Sequence, residues 1–80
     1  MENKTRVLLA DANEDFRMLL QETIERTGEF EVVGSTADGE EALQLMMERK
    51  PQLLLLDVVL PGLDGMGLLL LLLAFALTRS

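Results

Sequence analysis

The sequence has no cysteine and no histidine. Disulfides, a thiolate nucleophile, an imidazole base and any zinc site of the Cys/His kind are therefore excluded. The absence of cysteine fits a reducing cytosol, and the chain is expected to be cytoplasmic. Basic residues are scarce: seven Lys and Arg stand against fourteen Asp and Glu, a net charge of −7. Contacts to nucleic-acid phosphates need clustered Lys and Arg, so no direct nucleic-acid binding is expected of this segment. Charge is almost missing from residues 51–80, which hold only Asp57, Asp64 and Arg79, whereas residues 1–50 hold twelve of the acids and six of the bases. The N-terminal MENKTRVLLAD has too short an apolar stretch for a signal peptide. The apolar stretch from Gly65 to Leu77 falls short of the roughly 20 residues of a membrane span. Eighty residues make one small domain at most.

What is present alternates. TRVLLA (Thr5–Ala10) reads as a buried strand ending at Asp11. Phe16, Leu19, Leu20, Thr23 and Ile24 recur at helical spacing, with Asn13 as the N-cap and Gly28 as the stop. FEVVG (Phe30–Gly34) is a second strand, and Asp38 with Glu41 three residues on opens a second helix whose apolar face is Ala42, Leu43, Met46 and Met47. Pro51 ends that helix. Leu53–Leu56 is a third strand, followed by a Pro/Gly loop to Gly65 and a helix from Met66 to about Leu77. The order β-α-β-α-β-α, with strands apolar on both faces, predicts an α/β fold. It has a parallel sheet, right-handed crossovers and helices on its faces.

In such sheets function collects at the carboxyl ends of the strands. Asp57, set between LLLL and VVL, lies at the end of the third strand and Asp11 at the end of the first. Two carboxylates converging there repel unless a hard cation lies between them, and Mg²⁺, bound by one or two carboxylates with waters and a phosphate, suits that pair. A carboxylate beside such an ion can attack phosphorus and become an aspartyl phosphate. The competing reading is that both residues merely cap helices, as Asp does at many strand–helix junctions.

VLLADAN (residues 7–13) followed by LLLLDVVLPGLDG (residues 53–65) resembles the receiver domain of bacterial response regulators. With FEVVGSTADGEEAL (residues 30–43), the front of the chain resembles the receivers of sporulation regulators in Firmicutes, over residues 4–67. The resemblance implies a flavodoxin-like sheet of order 2-1-3. It makes Asp57 the phosphoacceptor for a histidine kinase or phosphotransfer protein, and the chain a regulatory module rather than an enzyme. It makes Asp11 and Asp57 ligands of Mg²⁺ together with the backbone carbonyl of Val59, and gives Pro61 and Gly65 the shaping of the following loop.

Departures from the family pattern stand beside the matches. The family has two acids after the first strand, and here the second is Ala12, which weakens the expected Mg²⁺ site. The family's Ser/Thr and Lys belong to a fourth and a fifth strand; no Lys follows Lys50, and Thr78 and Ser80 lie too near Asp57 to be that hydroxyl. Residues 1–67 are therefore expected to form a truncated receiver and residues 68–80 a leucine-rich helix or tail. Phosphoacceptance impaired by these losses and a non-phosphorylated interaction module are both open. A phosphatase of the haloacid-dehalogenase kind is disfavoured, since Val59 stands where its second Asp is needed. No phosphate-binding glycine loop of the common kinds occurs either.

Leu68–Leu73 and the AFAL after it are apolar on every side, and such a helix must be covered by something. An abnormal chain end, a partner surface and self-association all account for it. A homodimer or higher oligomer is expected through Leu53, Leu55, Leu69, Leu72 and Phe75, because an open apolar strand edge invites pairing with another copy.

Overall fold

The computed structural model describes residues 3–78; Ser80 lies outside them. Strands and helices alternate as β1 (Thr5–Ala10), α1 (Glu14–Glu25), β2 (Phe30–Thr36), α2 (Gly39–Arg49), β3 (Leu53–Leu56) and α3 (Gly65–Thr78). The sheet is parallel throughout, with β1 between β2 and β3. This is the predicted order 2-1-3, and every predicted element is present.

The helices begin where the predicted caps stand. The Asn13 side chain accepts the amide of Phe16 at 2.9 Å, and the Asp38 side chain that of Glu41 at 3.0 Å. Each bond satisfies one of the amides that a first helical turn leaves without a partner. α2 ends on Lys50 in the left-handed region (φ 47), just before Pro51, which cannot continue a helix. α1 stops at Glu25, earlier than the predicted stop, and Gly28 (φ 80) turns the chain toward β2.

Two layers cover the sheet. Leu8 and Ala10 of β1 point to the side of α2 and α3, where they form the core with Ala42, Met46, Leu60 and Leu71. Leu54, Leu56, Leu63, Ala74 and Phe75 pack against this cluster. Leu9 and Leu55 face the other side, toward Phe16 and Leu20 of α1. The expected division after residue 67 falls inside α3, whose Leu71 is fully buried in the core.

Some expectations needed correction. β2 runs two residues past Gly34 to Thr36, because the Thr36 carbonyl accepts the amide of Asp11 at 3.0 Å and continues the ladder. The α1 face is only loosely covered: no residue of that helix is buried, and Phe16 and Leu19 are exposed. Met47, expected on the apolar face of α2, is exposed beside the buried Met46. Consecutive residues on a helix point about 100° apart, so the two cannot both face the sheet.

Candidate functional site: the carboxyl rim of the sheet

Ala10 pairs with Leu56 across the β1–β3 ladder, so the residues that follow, Asp11 and Asp57, leave the sheet from adjacent strand ends. The amide of Asp57 donates to the carbonyl of Ala10 at 2.8 Å and locks that adjacency. Each carboxylate also organises its own loop. Asp11 accepts the amide of Asn13 at 2.9 Å, and Asp57 accepts the amide of Val59 at 3.0 Å, both through Oδ1. These are Asx turns, in which the side chain imitates a backbone turn. Among the described residues, the second oxygen of neither carboxylate has a hydrogen-bond partner. Neither residue caps the helix that follows: Asn13 caps α1, and the Asp64 side chain accepts the amide of Gly67 at 2.7 Å in the first turn of α3.

Both carboxylates line one groove of about 530 Å³, whose walls are Leu9, Ala10, Phe16, Leu20, Leu55 and Leu56. Both are half-buried, at the mouth of an apolar cleft rather than inside it. Arg17 lines the same groove and is its one cationic side chain. Its guanidinium donates to the Asp11 carbonyl at 2.6 Å and to the Ser35 hydroxyl at 3.0 Å, stitching α1 and the end of β2 to the rim. Sequence reasoning missed Arg17, because an arginine in an amphipathic helix looks like surface.

Val59 is exposed, its amide held by Asp57. The Pro61 carbonyl accepts the amide of Gly39 at 2.8 Å, which ties the loop after Asp57 to the start of α2. Gly65, expected to shape that loop, stands where the loop meets α3 as the helix's first residue, and a left-handed turn within the loop falls at Gly62 (φ 77). Glycine is also required opposite it: a Cβ on Gly39 would come within 2.9 Å of the Gly62 carbonyl carbon and oxygen. Of the residues expected in self-association, Leu53 and Leu55 are half-buried, Leu69 and Leu72 exposed, and Phe75 packed on the core.

The donor set offers a cation two adjacent carboxylates, each with an uncommitted oxygen, and a backbone loop. A group of three or more acidic side chains able to hold a metal does not occur among the described residues, and Ala12 adds only a methyl. Such a pair fits Mg²⁺, which keeps several waters and takes one or two carboxylates.

Residues 7–76 match the response regulator receiver domain model, and the chain belongs to that family. Solved structures agree. The signal receiver domain of the response regulator NarL from Mycobacterium tuberculosis is 36% identical, with a TM-score of 0.75 over 80% of this chain and 52% of that one. The response regulator domain of Thermotoga maritima CheB is 33% identical, with a TM-score of 0.80 over 90% of this chain and 55% of that one. A LuxR-family response regulator from an Aurantimonas species is 33% identical, with a TM-score of 0.70 over 79% and 45%. The chain thus spans about half the length of the structures it matches. Receiver domains are regulatory modules that interact with histidine kinases or phosphotransfer proteins and typically bind Mg²⁺ at the phosphorylation site. No helix among the described residues is long and apolar enough to cross a membrane.

Proposed function

We propose that this chain accepts a phosphoryl group on Asp57 from a histidine kinase or phosphotransfer protein. The observation that carries the reading is the pairing of Asp11 and Asp57 at one rim, fixed by the bond from the Asp57 amide to the Ala10 carbonyl. The free oxygen of Asp57 attacks phosphorus. An O–P bond forms, and the donor's P–N bond (P–O for acetyl phosphate) breaks, its electrons leaving with the imidazole or acetate. Bound Mg²⁺ supplies neutralisation of the phosphoryl oxygens. Asp11 and Asp57 would hold it, with the Val59 carbonyl as a third ligand. The Val59 amide on Oδ1 fixes the orientation of the nucleophile, and Pro61 and Gly62 hold its loop against α2. Ala12 leaves the ion one carboxylate short, so transfer is slow.

The stretch Phe30–Leu43 supports kinship with sporulation regulators, and a cytoplasmic setting follows from a kinase partner and the lack of cysteine. A second reading, an interaction module that no longer takes phosphate, is favoured by Ala12 and by the apolar surface of α3. Incubation with Mg²⁺ and acetyl phosphate, followed by intact mass measurement, separates them. A phosphoryl adduct that disappears in Asp57→Ala supports the first; an unmodified wild-type chain supports the second.

A further inference from the structure

We infer that Arg17 binds the phosphoryl group as it arrives on Asp57, giving up the Ser35 hydroxyl to do so. This role rests on the reading of Asp57 as the phosphoacceptor. Three strands place the parts on one face. Leu9 of β1 pairs with Ser35 of β2 on one side and with Leu55 of β3 on the other. Residues paired across the ladder share a face, and side chains alternate along a strand. Asp11 and Asp57, two residues beyond Leu9 and Leu55, therefore leave the sheet on the side that α1 covers. Arg17 reaches that side from α1 and lines the groove together with both carboxylates. Its anchor is the backbone carbonyl of Asp11 itself, 2.6 Å from Nη1. Asp57 stands one strand over, about 4.8 Å across the sheet, within the swing of an arginine side chain.

The guanidinium is held by weak partners. Both of its acceptors are neutral: the Asp11 carbonyl and, 3.0 Å from Nε, the Ser35 hydroxyl. Among the described residues the N–H groups of Nη2 have no partner, and no ion pair joins Arg17 to either rim carboxylate. A phosphoryl group brings charge and several acceptor oxygens, and charge-assisted bonds are roughly twice as strong as neutral ones. The planar fork of arginine matches that geometry. Leucine and phenylalanine walls shield the half-buried Arg17 from water, which strengthens such a pair. Ser35 is exposed, so water satisfies its hydroxyl when the guanidinium leaves.

The sign of the effect changes with transfer. Before it, the Arg17 cation lies beside two carboxylates that would hold Mg²⁺, and like charges repel. After it, the same cation helps to neutralise the phosphoryl oxygens. A purely structural strut between α1 and β2 has no such reversal.

Acetyl phosphate with Mg²⁺, followed by intact mass, and isothermal titration of the unmodified chain with Mg²⁺ test this together. Arg17→Ala is expected to slow adduct formation about tenfold, yet to tighten Mg²⁺ binding about threefold. Arg17→Lys keeps the charge and is expected to restore most of the rate. Ser35→Ala removes only the competing acceptor and is expected to match or exceed the wild-type rate. If Arg17→Ala folds poorly by circular dichroism, Arg17→Gln, which keeps a donor without the charge, takes its place with the same expected outcomes. A strut predicts that Ser35→Ala slows the reaction as Arg17→Ala does, and that Mg²⁺ binding falls along with it. Either result, or equal rates in wild type and Arg17→Ala, overturns the inference while leaving Asp57 as the acceptor. A wild-type chain that takes no phosphate overturns the phosphoacceptor reading, and this role with it.

Discussion

The amide of Asp57 donates to the carbonyl of Ala10, 2.8 Å away, so the side chains of Asp57 and Asp11 emerge from neighbouring strands at the same level. A divalent ion held by this pair responds to changes of charge at either side. Replacing Asp11 by Asn removes one of two formal charges and is expected to weaken Mg²⁺ binding about tenfold, or about 1.4 kcal/mol. Ala12→Asp restores a carboxylate at the adjacent position and is expected to strengthen it by a similar factor. Isothermal titration with Mg²⁺ reads both, and equal affinity in all three proteins would remove the ion from this rim.

The loop after Asp57 depends on one close approach. With Gly39 changed to Ala, the new methyl would meet the Leu63 Cβ at 2.8 Å and the Gly62 carbonyl at 2.9 Å, where backbone rather than a flexible side chain must give way. The expected loss of stability is about 1–3 kcal/mol, the usual range for overpacking. Asp38→Ala removes the cap of α2 and should cost about 1 kcal/mol. Urea denaturation of the two variants checks the ranking, with Gly39→Ala the more damaging.

Met46 and Met47 are neighbours in sequence and opposites in structure: the first is fully buried and the second 59% exposed. Met46→Ala is therefore expected to destabilise by about 2–5 kcal/mol and Met47→Ala to stay within about 0.5 kcal/mol of wild type. Thermal denaturation of the two single variants under identical conditions measures the difference.

That contrast also shows where sequence reasoning reaches its limit. Strand and helix order follow from period and punctuation, because Asn13, Asp38 and Pro51 stand at the boundaries and each strand contains a short apolar run, Val7–Ala10, Val32–Val33 and Leu53–Leu56. The pairing of Asp11 with Asp57 was legible for the same reason: both end strands that a right-handed β-α-β path places side by side. A helix written as consecutive leucines has no stripe to read, so the burial of Leu71 and the exposure of Leu72 come only from where α2 lies. Arg17 and Gly62 were illegible for a different reason. Their roles depend on partners, Ser35 and Gly39, that are distant in sequence and carry no motif.

The guarded edge of β2 yields the last prediction. Glu25 and Arg49 reach from α1 and α2 to cover the Val32 amide and Val33 carbonyl, bonds of 2.9 and 2.7 Å that involve a charged partner. Replacing both by Ala leaves those groups to solvent or to another strand, at about 1.5–3 kcal/mol for each charge-assisted bond. More telling is the change in association. A strand edge whose backbone groups lie bare can pair with another copy of the chain. Glu25→Ala/Arg49→Ala is therefore expected to form species larger than the wild-type protein does, growing with protein concentration, and light scattering over a dilution series follows them. If the double variant keeps the wild-type mass at every concentration, these side chains are not what protects β2.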